Sequence, residues 1–271
     1  EENNIGWSKC LEDAGVTVIY GLDELKVHSK LLLITLRDGN DVSYITQVGT
    51  GNYNEKTNAM YTDLSLMTAD QTIGEDAAAF FRNMLVNKLD GEYQQLCVSP
   101  FGIKEMLLQN IDRQIALGQS GYVCIKANSV TEREVIDKLA AASRAGVEIQ
   151  LIIRGICCIL PQVEGETENI RVTSIVGRYL EHARIYCFGK DAEELMFISS
   201  ADFMTRNMDH RVEVGCPIDS PQVRQKIHRI IELQRMDNTK ARRMRSDGTY
   251  RRVTTGKLPI GAQDALMEDA M

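Results

Sequence analysis

One set of parts occurs twice in this chain, in the same order, and nothing else in the sequence limits the fold as tightly. In the first copy His28-Ser29-Lys30 opens an apolar run, the turn signal Asp38-Gly39-Asn40 reverses it, and Gly49-Thr50-Gly51-Asn52-Tyr53-Asn54 closes it. In the second, His182-Ala183-Arg184 opens the run and Ser199-Ser200-Ala201-Asp202-Phe203 closes it. Each copy then supplies a carboxylate in a later alternating stretch, Asp63 in Tyr61-Thr62-Asp63-Leu64 and Glu213 in Arg211-Val212-Glu213-Val214. Counted within each copy, His28 to Asp63 is 35 residues and His182 to Glu213 is 31, a difference that hairpin lengths absorb. Internal repetition of this kind predicts two like halves, each built from one such unit.

The stretches between the repeated parts predict an α/β chain. Strands are expected at Val16–Tyr20, Lys30–Leu36, Val42–Val48, Tyr61–Met67 and Tyr93–Ser99, with helices over Ala77–Leu89 and Gly102–Leu117. Strand and helix then alternate through Tyr122–Ala127, Glu132–Arg144 and Val147–Arg154. Further strands are expected at Arg184–Phe188, Leu195–Ser199 and Arg211–Gly215, before a last helix from Pro221 to Arg235. The boundary between halves is placed between 90 and 96, giving domains 1–95 and 96–271.

The repeated residues suit phosphoryl chemistry. In a strand, residues i and i+2 share a face, so each histidine and the Lys30 or Arg184 two positions on address the same ligand. A neutral imidazole attacks phosphorus when its other ring N–H is held by an acceptor, and Asp63 and Glu213 are the candidates. The cation and the small-residue loop then stabilise charge on the phosphate oxygens. On this reading Asp63→Asn sharply lowers phosphorylation of His28. The chain has four histidines, and His210 and His228 lack the repeated context; no spacing supplies a histidine or cysteine metal site.

The formal net charge is −7, which argues against wholesale wrapping of nucleic acid, so a polyanion needs a local basic site. One candidate is Lys240–Lys257, with Arg242, Arg243, Arg245, Arg251 and Arg252 opposed only by Asp247; the competing expectation is a solvated basic helix end followed by a mobile tail. No apolar run reaches the roughly 18–20 residues of a membrane span, and no signal peptide is visible, so a cytoplasmic location is expected. Peripheral membrane association is compatible with that expectation.

The segments KVHSKLLLIT, VGTGNYNEKTNAMYTDLSLMTAD, YLEHARIY and FISSADFMTRNMDHRVEV resemble polyphosphate kinases, and LIIRGICCILP and NIRVTSIVGRYLEH extend the resemblance between them. It implies two phospholipase-D-like α/β domains with mixed sheets flanked by helices, the first incomplete. It also implies reversible transfer of the ATP terminal phosphate to inorganic polyphosphate, with Mg²⁺, in a homo-oligomer. Carried over residue by residue, His28 matches the phosphorylated histidine and His182 a nucleotide-site histidine and acid/base partner. Tyr61 and Arg154 match nucleotide-binding positions, and Lys30, Arg184, Asn52, Asn54 and Arg206 are assigned to phosphate contact. The family's two metal-site arginines would lie upstream of Glu1, leaving no metal ligand here. Thr35 stands where the strict phospholipase D pattern has Asp, which weakens the alternative of a phosphodiesterase or nuclease. A third possibility is a non-catalytic polyphosphate-binding fragment.

Overall fold

The structure is a computed structural model that describes residues 2–22, 24–254 and 258–270, and of residues 2–4 the backbone only. Its centre is a nine-stranded mixed sheet in the order Tyr250–Arg252, Ala241–Met244, Ile170–Ile175, Glu148–Ile153, Tyr122–Ala127, Arg184–Phe188, Leu195–Ser199, Val214–Pro217, Cys97–Val98. The three inner strands at 122–127, 148–153 and 170–175 are parallel, and the rest pair antiparallel.

Alternation along the inner strands divides the interior in two. Val123, Ile125 and Ala127 join Ile149, Leu151 and Ile153 in one core, into which Gly102–Leu117 sends Ile103, Leu107 and Ile111, and Arg133–Arg144 sends Val135, Leu139 and Ala142. Cys124, Ile152, Ile185 and Cys187 point the other way and meet Ile73, Ala77 and Phe80 of Gln71–Leu85, together with Ile227 and Ile231 of Pro221–Met236. Helices on both faces of a parallel centre are what near-continuous apolar strands require. The first half contributes Gln71–Leu85 and a three-stranded antiparallel sheet, Leu31–Asp38, Asp41–Gly49, Ser65–Thr68.

The two halves are joined by short parallel strands. Lys26–Val27 pairs with Arg211–Val212, and Tyr61–Thr62 pairs with Leu180–Glu181. The residues just before each histidine therefore pair with those just before the other half's carboxylate. Beyond the carboxylate each strand changes partner: Ser65–Thr68 and Val214–Pro217 return to sheets of their own halves. This is why the expected strands Tyr61–Met67 and Arg211–Gly215 are each interrupted, the first across Asp63-Leu64 and the second at Glu213.

Other expectations need correction. Val16–Tyr20 forms no strand: its residues are mostly exposed and no ladder partner faces them among the described residues. Tyr93–Ser99 shortens to Cys97–Val98, because the backbone N–H groups of Gln94, Gln95 and Leu96 donate to the buried Asp76 carboxylate instead of to a strand. The basic stretch is neither a helix end nor a tail through residue 252, but the hairpin Ala241–Met244/Tyr250–Arg252 on the edge of the large sheet; Lys257 lies outside the described residues. Pairing with Ile170–Ile175, a strand missing from the expected set, gives the hairpin its place.

Candidate active site

Both histidines sit one residue past the end of a short strand that joins the two halves, and their backbones are fixed in the same way. The N–H groups of His28 and Ser29 both donate to Val212 O, and those of His182 and Ala183 both donate to Thr62 O. Opposite them the closing loops repeat a second pattern. Thr50 N donates to Leu64 O and Leu64 N to Thr50 Oγ1, while Ser200 N donates to Val214 O and Val214 N to Ser200 Oγ. The two hydroxyls then donate to carboxylates, Thr50 Oγ1 to Asp63 Oδ1 at 2.7 Å and Ser200 Oγ to Glu213 Oε2 at 2.5 Å.

Each carboxylate holds the other half's imidazole. His28 Nδ1 lies 2.8 Å from Glu213 Oε2, and His182 Nδ1 lies 2.9 Å from both oxygens of Asp63. Counting within each copy had placed Asp63 with His28 and Glu213 with His182; the structure exchanges them. The cause is the strand pairing between the halves, which brings residues 211–212 beside 26–27 and residues 61–62 beside 180–181. Glu213 is fully buried and also accepts from Asn207 Nδ2 at 2.6 Å. Room for Asp63 depends on Gly51, where a Cβ would stand 2.0 Å from Asp63 Oδ2.

With Nδ1 donating to a carboxylate, each imidazole keeps its lone pair on Nε2. The two then differ. Arg184 Nη1 lies against the His182 ring, 3.3 Å from Nδ1 and 3.2 Å from Nε2, whereas no donor faces His28 Nε2 among the described residues. Burial, with the positive charge of Arg184, holds the His182 imidazolium below the ordinary histidine value against the pull of Asp63, so this ring is kept neutral.

Two cations tie the dyads into one site. Arg184, itself buried, is clamped by Asp202, with Nη2 to Oδ2 at 2.9 Å and Nε to Oδ1 at 3.3 Å, and its Nη1 crosses to Thr50 O of the first half at 3.0 Å. Lys30 is buried and its ammonium donates to His28 O. Burial lowers Lys30 to about 8; Glu213 and Asp63 act to raise it, while Arg184 and Arg211 push it further down. One side chain thus feels both carboxylates and the second half's cation.

Tyr61 stands with its ring centroid 4.9 Å from that of His182. Arg154 donates from Nε to Glu181 O at 2.6 Å, and its charge couples to Asp202, Arg184 and Tyr61, which places it on the His182 side. Three of the residues expected to contact phosphate are not drawn in. Asn52 and Asn54 are exposed, and Asn54 Oδ1 caps the short helix Glu55–Asn58 at Thr57 N. Arg206 is exposed, with Met204 Sδ at 3.6 Å from its guanidinium.

Sequence reasoning left several site residues unassigned. Asp202 occupies in the second loop the position that Asn52 has in the first, and that correspondence was a usable signal. Lys126, in the middle of the apolar strand Tyr122–Ala127, was another, because a buried ammonium requires a partner. It pairs with Glu181 Oε2 at 3.0 Å beneath His182, and Glu181 also accepts from Thr62 Oγ1, Gln234 Nε2 and Gln263 Nε2.

The chain matches two family descriptions, "Polyphosphate kinase C-terminal domain 1" over residues 1–90 and "Polyphosphate kinase C-terminal domain 2" over residues 96–263. The chain belongs to the polyphosphate kinase family. It is 43% identical to the polyphosphate kinase of Staphylococcus haemolyticus over its whole length, covering 38% of that protein, and 42% identical to that of Helicobacter pylori, covering 40%. The crystal structure of the polyphosphate kinase from Porphyromonas gingivalis superposes with a TM-score of 0.91 at 37% identity, over 98% of this chain and 42% of that one. The chain therefore spans about two fifths of the length of these polyphosphate kinases. A phosphatidylserine synthase from Haemophilus influenzae shares the fold, with a TM-score of 0.52 over 84% of this chain at 10% identity. Among the described residues, no helix is long and apolar enough to cross a membrane.

Proposed function

We propose that this chain carries the phosphoryl-transfer centre of a polyphosphate kinase, moving the terminal phosphate of ATP reversibly to inorganic polyphosphate through a phosphohistidine on His28. One observation carries the proposal: two imidazoles, each held through Nδ1 by a carboxylate of the other half, share a site with Lys30 and Arg184. His28 is taken as the nucleophile because it matches the family's phosphorylated histidine and no donor faces its Nε2 among the described residues, whereas a guanidinium lies against the His182 ring.

In the forward step the Nε2 lone pair of His28 forms a bond to the γ-phosphorus of ATP, the bond from that phosphorus to the β,γ-bridging oxygen breaks, and ADP leaves with the electron pair on its β-phosphate. A terminal oxygen of polyphosphate then attacks the same phosphorus, the P–N bond breaks, and His28 regains its lone pair. Lys30 and Arg184 hold the non-bridging oxygens. Tyr61 and Arg154 bind the nucleotide beside His182, which serves as the acid/base partner; Asn52, Asn54 and Arg206 remain proposed phosphate contacts at the rim.

The described side chains do not build a magnesium site, since no three His, Cys, Asp or Glu groups converge and Asp63, Glu213 and Asp202 are each committed to a histidine or arginine. Mg²⁺ is accordingly placed on the nucleotide's own phosphates, with no step assigned to it. The reading extends to two phospholipase-D-like domains, 1–95 and 96–271, the first incomplete: Leu32, Ile34 and Leu36, which share one face of an outer strand, are 42%, 43% and 48% exposed. It extends also to a cytoplasmic homo-oligomer.

Incubation with γ-labelled ATP is the test. Acid-labile, base-stable label that maps to the His28 peptide is expected. Label on another residue, or release of product from a phosphodiester substrate with no labelled protein, would remove the proposal. The Lys30 charge adds a pH dependence. The ammonium is protonated below about 8 and neutral above it. The kcat/KM for polyphosphate formation, which reports the free enzyme, is therefore expected to fall as pH rises through about 8. Lys30→Arg, which stays charged, should move that limb upward. A limb unmoved by this substitution would assign the titration to another group.

A further inference from the structure

We propose that the edge hairpin Ala241–Met244/Tyr250–Arg252 carries a second anion site, a groove that holds a linear condensed phosphate chain away from the histidines. Its identity as a track for the polymer rests on the function proposed above. The site is a cavity of about 530 Å³ lined by Ser174, Val176, Thr239, Lys240, Arg242 and Arg252. Three of the six are cations and none is a carboxylate. Among the described residues, no Asp or Glu lies within ion-pair distance of Lys240, Arg242 or Arg252.

The register sets like charges side by side on this face as it does with Arg243 and Arg251 on the other, but the cavity on that other side also has Glu232 in its lining. Arg242 stands directly opposite Arg252 on one side and Ser174 on the other, so two guanidinium groups and a hydroxyl form one row across three strands on a single face. Like charges directly opposite in a ladder repel, and a chain of phosphates laid along the row converts that repulsion into paired contacts. The groove is also preorganised. Buried Asp237 accepts the N–H groups of Thr239, Lys240, Ala241 and Ala262 at 2.7–3.1 Å, fixing the loop that presents Lys240, and Arg252 Nη2 donates to Thr239 O at 2.9 Å.

A second cavity, about 410 Å³, adjoins the first through Val176 and Lys240 and reaches Gln263. Gln263 donates to Tyr179 O and Glu181 Oε1, just ahead of His182. That second cavity also carries the carboxylates Asp237 and Asp264 beside Arg178, so the lining with cations and no carboxylate is confined to the first. The lining favours a phosphate chain over single-stranded nucleic acid, because it offers cations and hydroxyls but no aromatic ring on which a base could stack.

Calorimetric titration of the chain with tripolyphosphate, orthophosphate and an oligothymidylate of matched charge tests this at about 0.15 M salt, where charges beyond about 8 Å are screened. Tripolyphosphate is expected to bind at least tenfold more tightly than orthophosphate. The Arg242→Ala/Arg252→Ala variant is expected to lose at least tenfold in tripolyphosphate affinity, and Lys240→Ala, which leaves the ladder intact, at least threefold. Arg243→Ala/Arg251→Ala removes the same charge from the opposite face and should stay within threefold. Equal losses in the two double variants, no loss in either, or tighter binding of the oligothymidylate than of tripolyphosphate would overturn the site. ATP labelling of His28 is read in parallel and should be unchanged in Arg242→Ala/Arg252→Ala. Loss of label in the unaltered chain with the tripolyphosphate pattern intact defeats the catalytic reading alone; normal label without that pattern defeats the groove alone.

Discussion

Labelling of His28 by γ-labelled ATP is expected to vanish in His28→Ala and to slow by on the order of 10²–10⁴ in Glu213→Gln, the range associated with losing control of a catalytic imidazole's tautomer and direction. Glu213 accepts from His28 Nδ1, Ser200 Oγ and Asn207 Nδ2 with no exposure to solvent. A glutamine there has one oxygen and one NH₂ group in place of two acceptor oxygens, so one of those three donors loses its acceptor; where it is the imidazole, the ring turns or takes the tautomer that leaves Nε2 protonated and unable to attack. Because Ser200 and Asn207 are themselves buried, the partly exposed imidazole is the group that loses it. Asp63→Asn is expected to disturb the other ring: His182 loses its partner while His28 keeps Glu213. This replaces the expectation, drawn from spacing within each copy, that Asp63 governs His28. Nitrogen-detected NMR of the imidazoles separates the two cases. A change at His28 in Asp63→Asn, with none in Glu213→Gln, would refute the exchanged pairing.

The largest stability effect is expected at Lys126. Its ammonium and the Glu181 carboxylate are almost fully buried 3.0 Å apart, and burial and Glu181 act on the Lys126 charge in opposite directions. Removing one member of such a pair leaves the other charge uncompensated, a cost of about 3–5 kcal/mol, whereas replacing both by neutral groups of similar shape is close to neutral. Lys126→Met should therefore lower the urea-unfolding free energy by about that amount. A Lys126→Met protein within about 0.5 kcal/mol of the parent, the usual range for an inconsequential surface change, would show that the pair contributes nothing. The same network spans the molecule, since Glu181 is shared by Thr62 of the first half, Gln234 of the Pro221–Met236 helix and Gln263 of the Ala262–Asp269 helix. Its loss should loosen the strand pair that sets His182 against Asp63.

By itself the sequence determined what is local or repeated. The strands Tyr122–Ala127, Arg184–Phe188 and Leu195–Ser199 and the helix Gly102–Leu117 have the expected bounds, because apolar periodicity and turn residues act over a few positions. The duplicated His, cation and carboxylate were legible for the same reason, as residue types at matching intervals. Only the tertiary structure decided which carboxylate serves which histidine, because parallel pairing of residues 26–27 with 211–212 depends on contacts separated by some 185 residues, and no interval within one half encodes it. Long-range pairing likewise turned the basic stretch after Lys240 into a sheet edge with paired arginines. Charge patterning there gave the sign of the surface, and only the ladder gave its geometry.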